Sequence, residues 1–216
     1  MAQQSNDRQT HWQNIYRTKR ADSVSWYRRH LDVSLELLTE AGISAASRVI
    51  DVGGGASTLI DDLLDRGLCD VSVLDVSEQA LAVAQRRLGE RAKLVKWYAG
   101  DVLEIALPSG AFDFWHDRAV LHFLTDASDA RRYAQSAANA VVIGGHAVIA
   151  GFAPDGPERC SGLSVSASRR RTSLRYLHPR SHSWASAPSG TAPQPDSSSR
   201  LPTPFCSVAS DAQGAC

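Results

Sequence analysis

Val49-Ile50-Asp51-Val52-Gly53-Gly54-Gly55-Ala56-Ser57 runs an apolar strand into three glycines and then into a helical pattern. Glycine there lets the backbone turn sharply and lets a ligand approach where a side chain would block it. A dinucleotide fingerprint starting at Gly53 needs glycine at position 58, where this chain has Thr58. A nicotinamide-dependent oxidoreductase is therefore a poor match. Asp51, two residues before the first glycine, would repel a pyrophosphate but suits a ligand carrying positive charge.

Outward from that turn the chain alternates. The spacing predicts strands at 48–52, 71–74, 94–98, 112–115 and 147–152, with helices at 56–66, 78–88 and 128–142; Gly67 and Gly89 end the first two helices. Before them, Trp12 and Tyr16, then Tyr27, Leu31, Leu35 and Leu38, recur every three to four residues and predict amphipathic helices at 11–20 and 24–41, the second stopped by Gly42. Strands alternating with helices imply an α/β fold, a doubly wound, mainly parallel sheet with ligands beyond the carboxyl ends of its strands. The informative residues are those just after each strand.

Asp75 ends the second strand, where a carboxylate commonly holds a ribose diol. Asp101 follows the third and could accept from an adenine amino group beside Val102, or be an ordinary surface carboxylate. The fourth strand ends in FDFWHDRAVLHFL, residues 112–124. Its His116, Asp117 and His122, packed near Trp115 and Phe123, read either as a substrate mouth or as a surface Asp117–Arg118 pair with a core histidine.

The 216 residues carry 23 Lys+Arg against 23 Asp+Glu, which argues against a bulk electrostatic grip on nucleic acid or anionic membrane. The four cysteines show no metal-ligand spacing, so reduced thiols and no metal site are expected. A polar N-terminus without the marks of a signal peptide predicts a cytoplasmic protein, and the longest apolar run, 140–153, is too short to span a bilayer.

That balance hides a break. Residues 1–163 hold 17 basic and 21 acidic residues and nearly all the Ile, Leu and Val; residues 164–216 are rich in Ser, Pro and Arg and contain no Lys, Glu or Ile. Such a composition cannot bury a core and predicts disorder. Two origins fit it, a flexible extension or a reading-frame slip near codon 163. The expected organisation is N-terminal helices and lid at 1–44, a ligand-binding domain at 45–163 and the tail at 164–216.

Taken in order, VIDVGGGAS, Asp75 ending strand two, GDV at 100–102, FDFWHDRAVLHFL and IGGHAVIAGFA resemble the class I S-adenosylmethionine-dependent methyltransferases over roughly residues 25–163. HWQNIY, VSWY and WHDRAVLHFL look like a bacterial branch related to small protein-lysine methyltransferases, including those acting on citrate synthase and elongation factors. The resemblance implies S-adenosyl-L-methionine as cofactor. Gly53 and Gly55 would admit its methionine part near Asp51, Asp75 with Val76 would hold the ribose, and Asp101 with Val102 the adenine. His116 would sit near the sulfonium, with His116, Asp117 and His122 as candidate catalytic groups and Trp26 and Tyr27 as a lid. The acceptor is left open between a protein lysine and a small molecule. The family sheet has seven strands, and this chain is expected to lack the last two, so an inactive truncated fold stands as the alternative to an active methyltransferase.

Overall fold

A computed structural model describes residues 2–118, 120–152, 156–166 and 175–176. The expected α/β alternation is present: α1 (Ala2–Thr18), α2 (Asp32–Glu40), β1 (Arg48–Val52), α3 (Leu59–Asp65), β2 (Asp70–Asp75), α4 (Glu78–Leu88), β3 (Val95–Ala99), β4 (Phe112–Arg118), α5 (Ala127–Ala140) and β5 (Val141–Ala150). Three short stretches follow, β6 (Arg159–Cys160), β7 (Leu163–Ser164) and β8 (Arg175–Tyr176). The main sheet has the order β3-β2-β1-β4-β5-β8, in which β1 to β5 are parallel and β8 is antiparallel to β5. Strand order reverses between β1 and β4, which opens a crevice at their carboxyl ends.

The pleat sorts the core into two layers, because successive residues of a strand face opposite sides. Val49, Val71, Val73 and Phe114 pack with Leu35, Leu38, Leu59 and Leu63 on one face. Ile50, Val52, Leu74 and Trp115 pack with Tyr133 and Ala137 of α5 on the other. Helix ends are local decisions. Ser77 caps α4 by accepting from the Ala80 amide, and Gly42 and Gly67 leave α2 and α3 at φ of 84° and 82°.

Three expectations need correction. Residues 24–31 do not extend α2; they form an irregular strap whose main chain is used elsewhere, with the Trp26 carbonyl accepting from Arg118 and the Arg28 carbonyl from Thr58. The Ile143-Gly144-Gly145 stretch is no helix end. It is a bulge within β5, where pairing jumps from Phe112↔Val141 to Phe114↔His146, Gly144 takes φ of 83° and Ile143 is left 81% exposed. Third, the chain is not without strands after β5. The β6–β7 hairpin is separate from the main sheet, and β8 pairs with β5 for two residues only.

Most of the predicted tail at 164–216 lies outside the described residues. Cys160 is disulfide-bonded, so the expectation of reduced thiols holds, among the described cysteines, for Cys69 alone. No helix among the described residues is long and apolar enough to cross a membrane.

Candidate functional site

A cleft opens where the sheet topology requires, at the carboxyl ends of β1, β2, β3 and β4, roofed by α1 and the 24–28 strap. Its floor is the glycine turn. The Gly53 amide donates to the Leu74 carbonyl at 2.7 Å, and Gly53 itself stands at φ of 69°, a conformation that side chains resist. A Cβ on Gly53 would overlap Val120, one on Gly54 would overlap the Asp51 carboxylate, and one on Gly55 would overlap Asp75 Oδ2. Bare backbone is what leaves the floor open.

Three carboxylates line this floor. Asp75 is 7% exposed; its Oδ2 accepts from the Gly55 amide at 3.0 Å and its Oδ1 from the Ser77 amide at 2.7 Å. Burial outweighs those two amides and raises its pKa to about 7. Asp51 accepts from or shares a proton with His116 Nδ1 at 2.7 Å through Oδ1, while its buried Oδ2 has no hydrogen-bond partner among the described residues. An orphaned carboxylate oxygen beside open backbone fits a ligand that is cationic at one end. Asp101 takes the Leu103 amide on Oδ1 and the Arg8 guanidinium on Oδ2 at 2.8 Å. Burial opposes its ionisation, but Leu103 and Arg8 together hold its carboxyl below the usual range.

The roof was only partly legible. Trp26 and Tyr27 do line the cleft, yet most of the cover comes from α1 through Arg8, Trp12 and Tyr16. Trp12 stands edge-on to Trp26 at 6.0 Å and to Phe123 at 5.2 Å. Gln13 Oε1 accepts from the Gln79 amide at 3.1 Å, tying α1 to the start of α4. Burial, with the Asp75 charge nearby, raises the Tyr16 hydroxyl above its ordinary pKa. The i, i+4 spacing of Trp12 and Tyr16 marked a helix face but could not say what it faces.

The three candidate catalytic groups separate. His116 is fully buried with both ring nitrogens engaged, Nδ1 on Asp51 and Nε2 on Ser34 Oγ at 2.9 Å, so it steadies Asp51 and is not free to orient an acceptor. Asp117 is fully buried on the α5 face, away from the cleft lining; it accepts from the Val120 and Leu121 amides at 2.7 and 3.0 Å and from the Tyr133 hydroxyl at 2.5 Å. Neither a surface pair with Arg118 nor a catalytic group, it anchors the chain leaving β4. His122 does line the cleft, and burial lowers its pKa to about 4. Val76 and Val102 line it too. Among the described residues no group of His, Cys, Asp and Glu could hold a metal ion.

The family model described as "Methyltransferase domain" matches residues 49–145, which run from β1 into β5. Two curated proteins named "eEF1A lysine and N-terminal methyltransferase" are similar to the chain over 120 residues, that of Mus musculus at 25% identity and that of Bos taurus at 24%. Each match takes in 55% of this chain but spans only 17% of the relative. Among solved structures, one titled "Conversion of a Disulfide Bond into a Thioacetal Group during Echinomycin Biosynthesis" aligns with a TM-score of 0.55 at 22% identity, covering 69% of this chain and 62% of that one. That likeness is one of fold.

Proposed function

We propose that this chain, whose residues 49–145 are a class I S-adenosylmethionine-dependent methyltransferase domain, transfers a methyl group to an acceptor that enters beside His122. One observation carries the reading. At the ends of β1 and β2 a turn whose Cβ positions are blocked meets an unpartnered Asp51 Oδ2 and the buried Asp75 carboxylate. That set matches a ligand with a cationic amino-acid end and a ribose diol, and S-adenosylmethionine, when bound there, supplies a methyl group on a sulfonium leaving group. The Gly53 to Gly55 backbone with Asp51 would hold the methionyl end, Asp75 and Val76 the ribose, and Asp101 with Val102 the adenine. Arg8 would have to share Asp101 Oδ2 with the adenine amino group or release it. The chain then contributes chiefly position, holding the acceptor in line and excluding water under α1.

The test is a thermal melt of the full chain with S-adenosylhomocysteine, with NAD and with neither. A cooperative transition raised by S-adenosylhomocysteine alone supports the reading, the stabilisation being about 2.7 kcal/mol at a hundredfold excess over Kd. No cooperative melt would favour the inactive, truncated fold.

Asp75 makes the binding pH-dependent. The diol donates to the ionised carboxylate, and with a pKa of about 7 that form is lost as the pH falls through neutrality. Affinity for S-adenosylhomocysteine is expected to rise by up to about tenfold per pH unit up to pH ~7 and then level off. In Asp75→Asn the affinity should be at least about tenfold weaker and this rise absent. Folding stability runs the other way. The folded pKa lies above the unfolded value of 3.8, so the Asp75 contribution is full at low pH and is lost as the pH rises through about 7. Isothermal titration across pH 5.5 to 8.5 reads the first trend, and apo melts read the second.

A further inference from the structure

We propose that the methyl acceptor is an uncharged phenolic molecule, its ring held among Trp26, Phe123 and Phe152 and its hydroxyl on the His122 imidazole. The inference rests on the methyltransferase reading and narrows it to a substrate class. His122 is 6% exposed, lines the cleft, and has no hydrogen-bond partner on either ring nitrogen among the described residues. A buried imidazole with both nitrogens unmatched is costly unless a ligand supplies the partner. Its main chain is fixed, since the His122 carbonyl accepts from the Ser166 amide at 2.8 Å.

The surroundings of that imidazole are apolar and aromatic. The ring centroids of Phe123 and Phe152 lie 4.2 and 4.7 Å from that of His122, and Trp12 and Trp26 continue the wall. Charge divides the cleft. Asp51, Asp75 and Asp101 all belong to the β1, β2 and β3 side, whereas the ionisable group beside His122 on the β4 side is a cation, Arg118, whose guanidinium donates to the Trp26 carbonyl. Among the described residues nothing there neutralises an entering ammonium, and Arg118 opposes one. Burial, by keeping His122 uncharged above about pH 4, leaves one ring nitrogen able to accept from a hydroxyl.

The step balances without another reagent. An oxygen lone pair forms the new O–C bond as the S–C bond of the sulfonium donor breaks, the bonding pair remaining on sulfur to give the thioether. The phenolic proton passes to the free nitrogen of His122 and then to water. A weakly basic imidazole suffices, because a proton on an alkylated oxygen is far more acidic than imidazolium.

The test measures S-adenosylhomocysteine formation by the full chain with monocyclic and bicyclic phenols, their matched benzylamines, and a lysine peptide. Turnover of phenols, with His122→Gln and His122→Ala each lowering kcat by about 100-fold or more and leaving S-adenosylhomocysteine affinity within about twofold, supports the proposal. The unchanged affinity also shows that the variants fold. Turnover confined to benzylamines or the lysine peptide overturns the acceptor class alone, as do phenol-active His122 variants with undiminished kcat. Failure of the wild-type chain to bind S-adenosylhomocysteine overturns the methyltransferase reading and this inference together.

Discussion

Gly55→Ala is expected to abolish measurable S-adenosylhomocysteine binding and to lower the melting temperature by roughly 10 °C. The added Cβ would overlap Asp75 Oδ2 and stand 2.5 Å from the Ala80 Cβ. Neither neighbour can yield easily. Asp75 is clamped by two amides, one of them that of Gly55, and Ala80 is fully buried in α4 under the Ser77 cap. Overpacking a rigid site costs about 1–3 kcal/mol, which corresponds to roughly 2–4 °C per kcal/mol in a protein of this size. Moving Asp75 also takes away the carboxylate proposed for the ribose, so binding should suffer more than stability. Calorimetric titration and a melt on the same sample read both effects. A Gly55→Ala variant that binds normally would mean that the ligand does not use this turn.

Asp117→Ala carries the second large effect, and it is one of folding. The carboxylate accepts from two backbone amides and a tyrosine hydroxyl in a fully buried place, and Tyr133 in turn accepts from Trp115 Nε1 at 2.8 Å. Orphaning buried donors costs about 1–3 kcal/mol each, so a total of about 4 kcal/mol and a fall of roughly 10 °C or more are expected. Tyr133→Phe should cost about 1–2 kcal/mol, and the double variant less than the sum, since both changes break one network. Additive losses would separate the two residues. A selective loss of turnover at wild-type stability would return Asp117 to the chemistry.

His116 and Asp117 illustrate how far local sequence reasoning reaches. They stand side by side in one block, but a strand sends them to opposite faces: His116 shares the parity of Phe114 and meets Asp51 and Ser34, while Asp117 shares that of Trp115 and meets Tyr133. That separation was legible from period two alone, given the strand. What parity cannot supply is the partner. Ser34 lies 82 positions from His116 and Arg8 lies 93 from Asp101, and nothing in either local pattern points across such distances.

The sequence by itself determined the alternation of strands and helices, the glycine turn after β1 and the carboxylates after β2 and β3. These follow from short-range causes: side-chain periodicity, caps, and the backbone freedom of glycine. Only the tertiary structure decided that α1 roofs the cleft, that residues 24–31 form a strap, and that, of the three candidate catalytic groups, His122 alone lines the cleft with its ring nitrogens unpaired among the described residues. Those outcomes depend on which surfaces meet when the sheet closes, and a packing contact between distant segments leaves no period or spacing in the chain for a local reading to find.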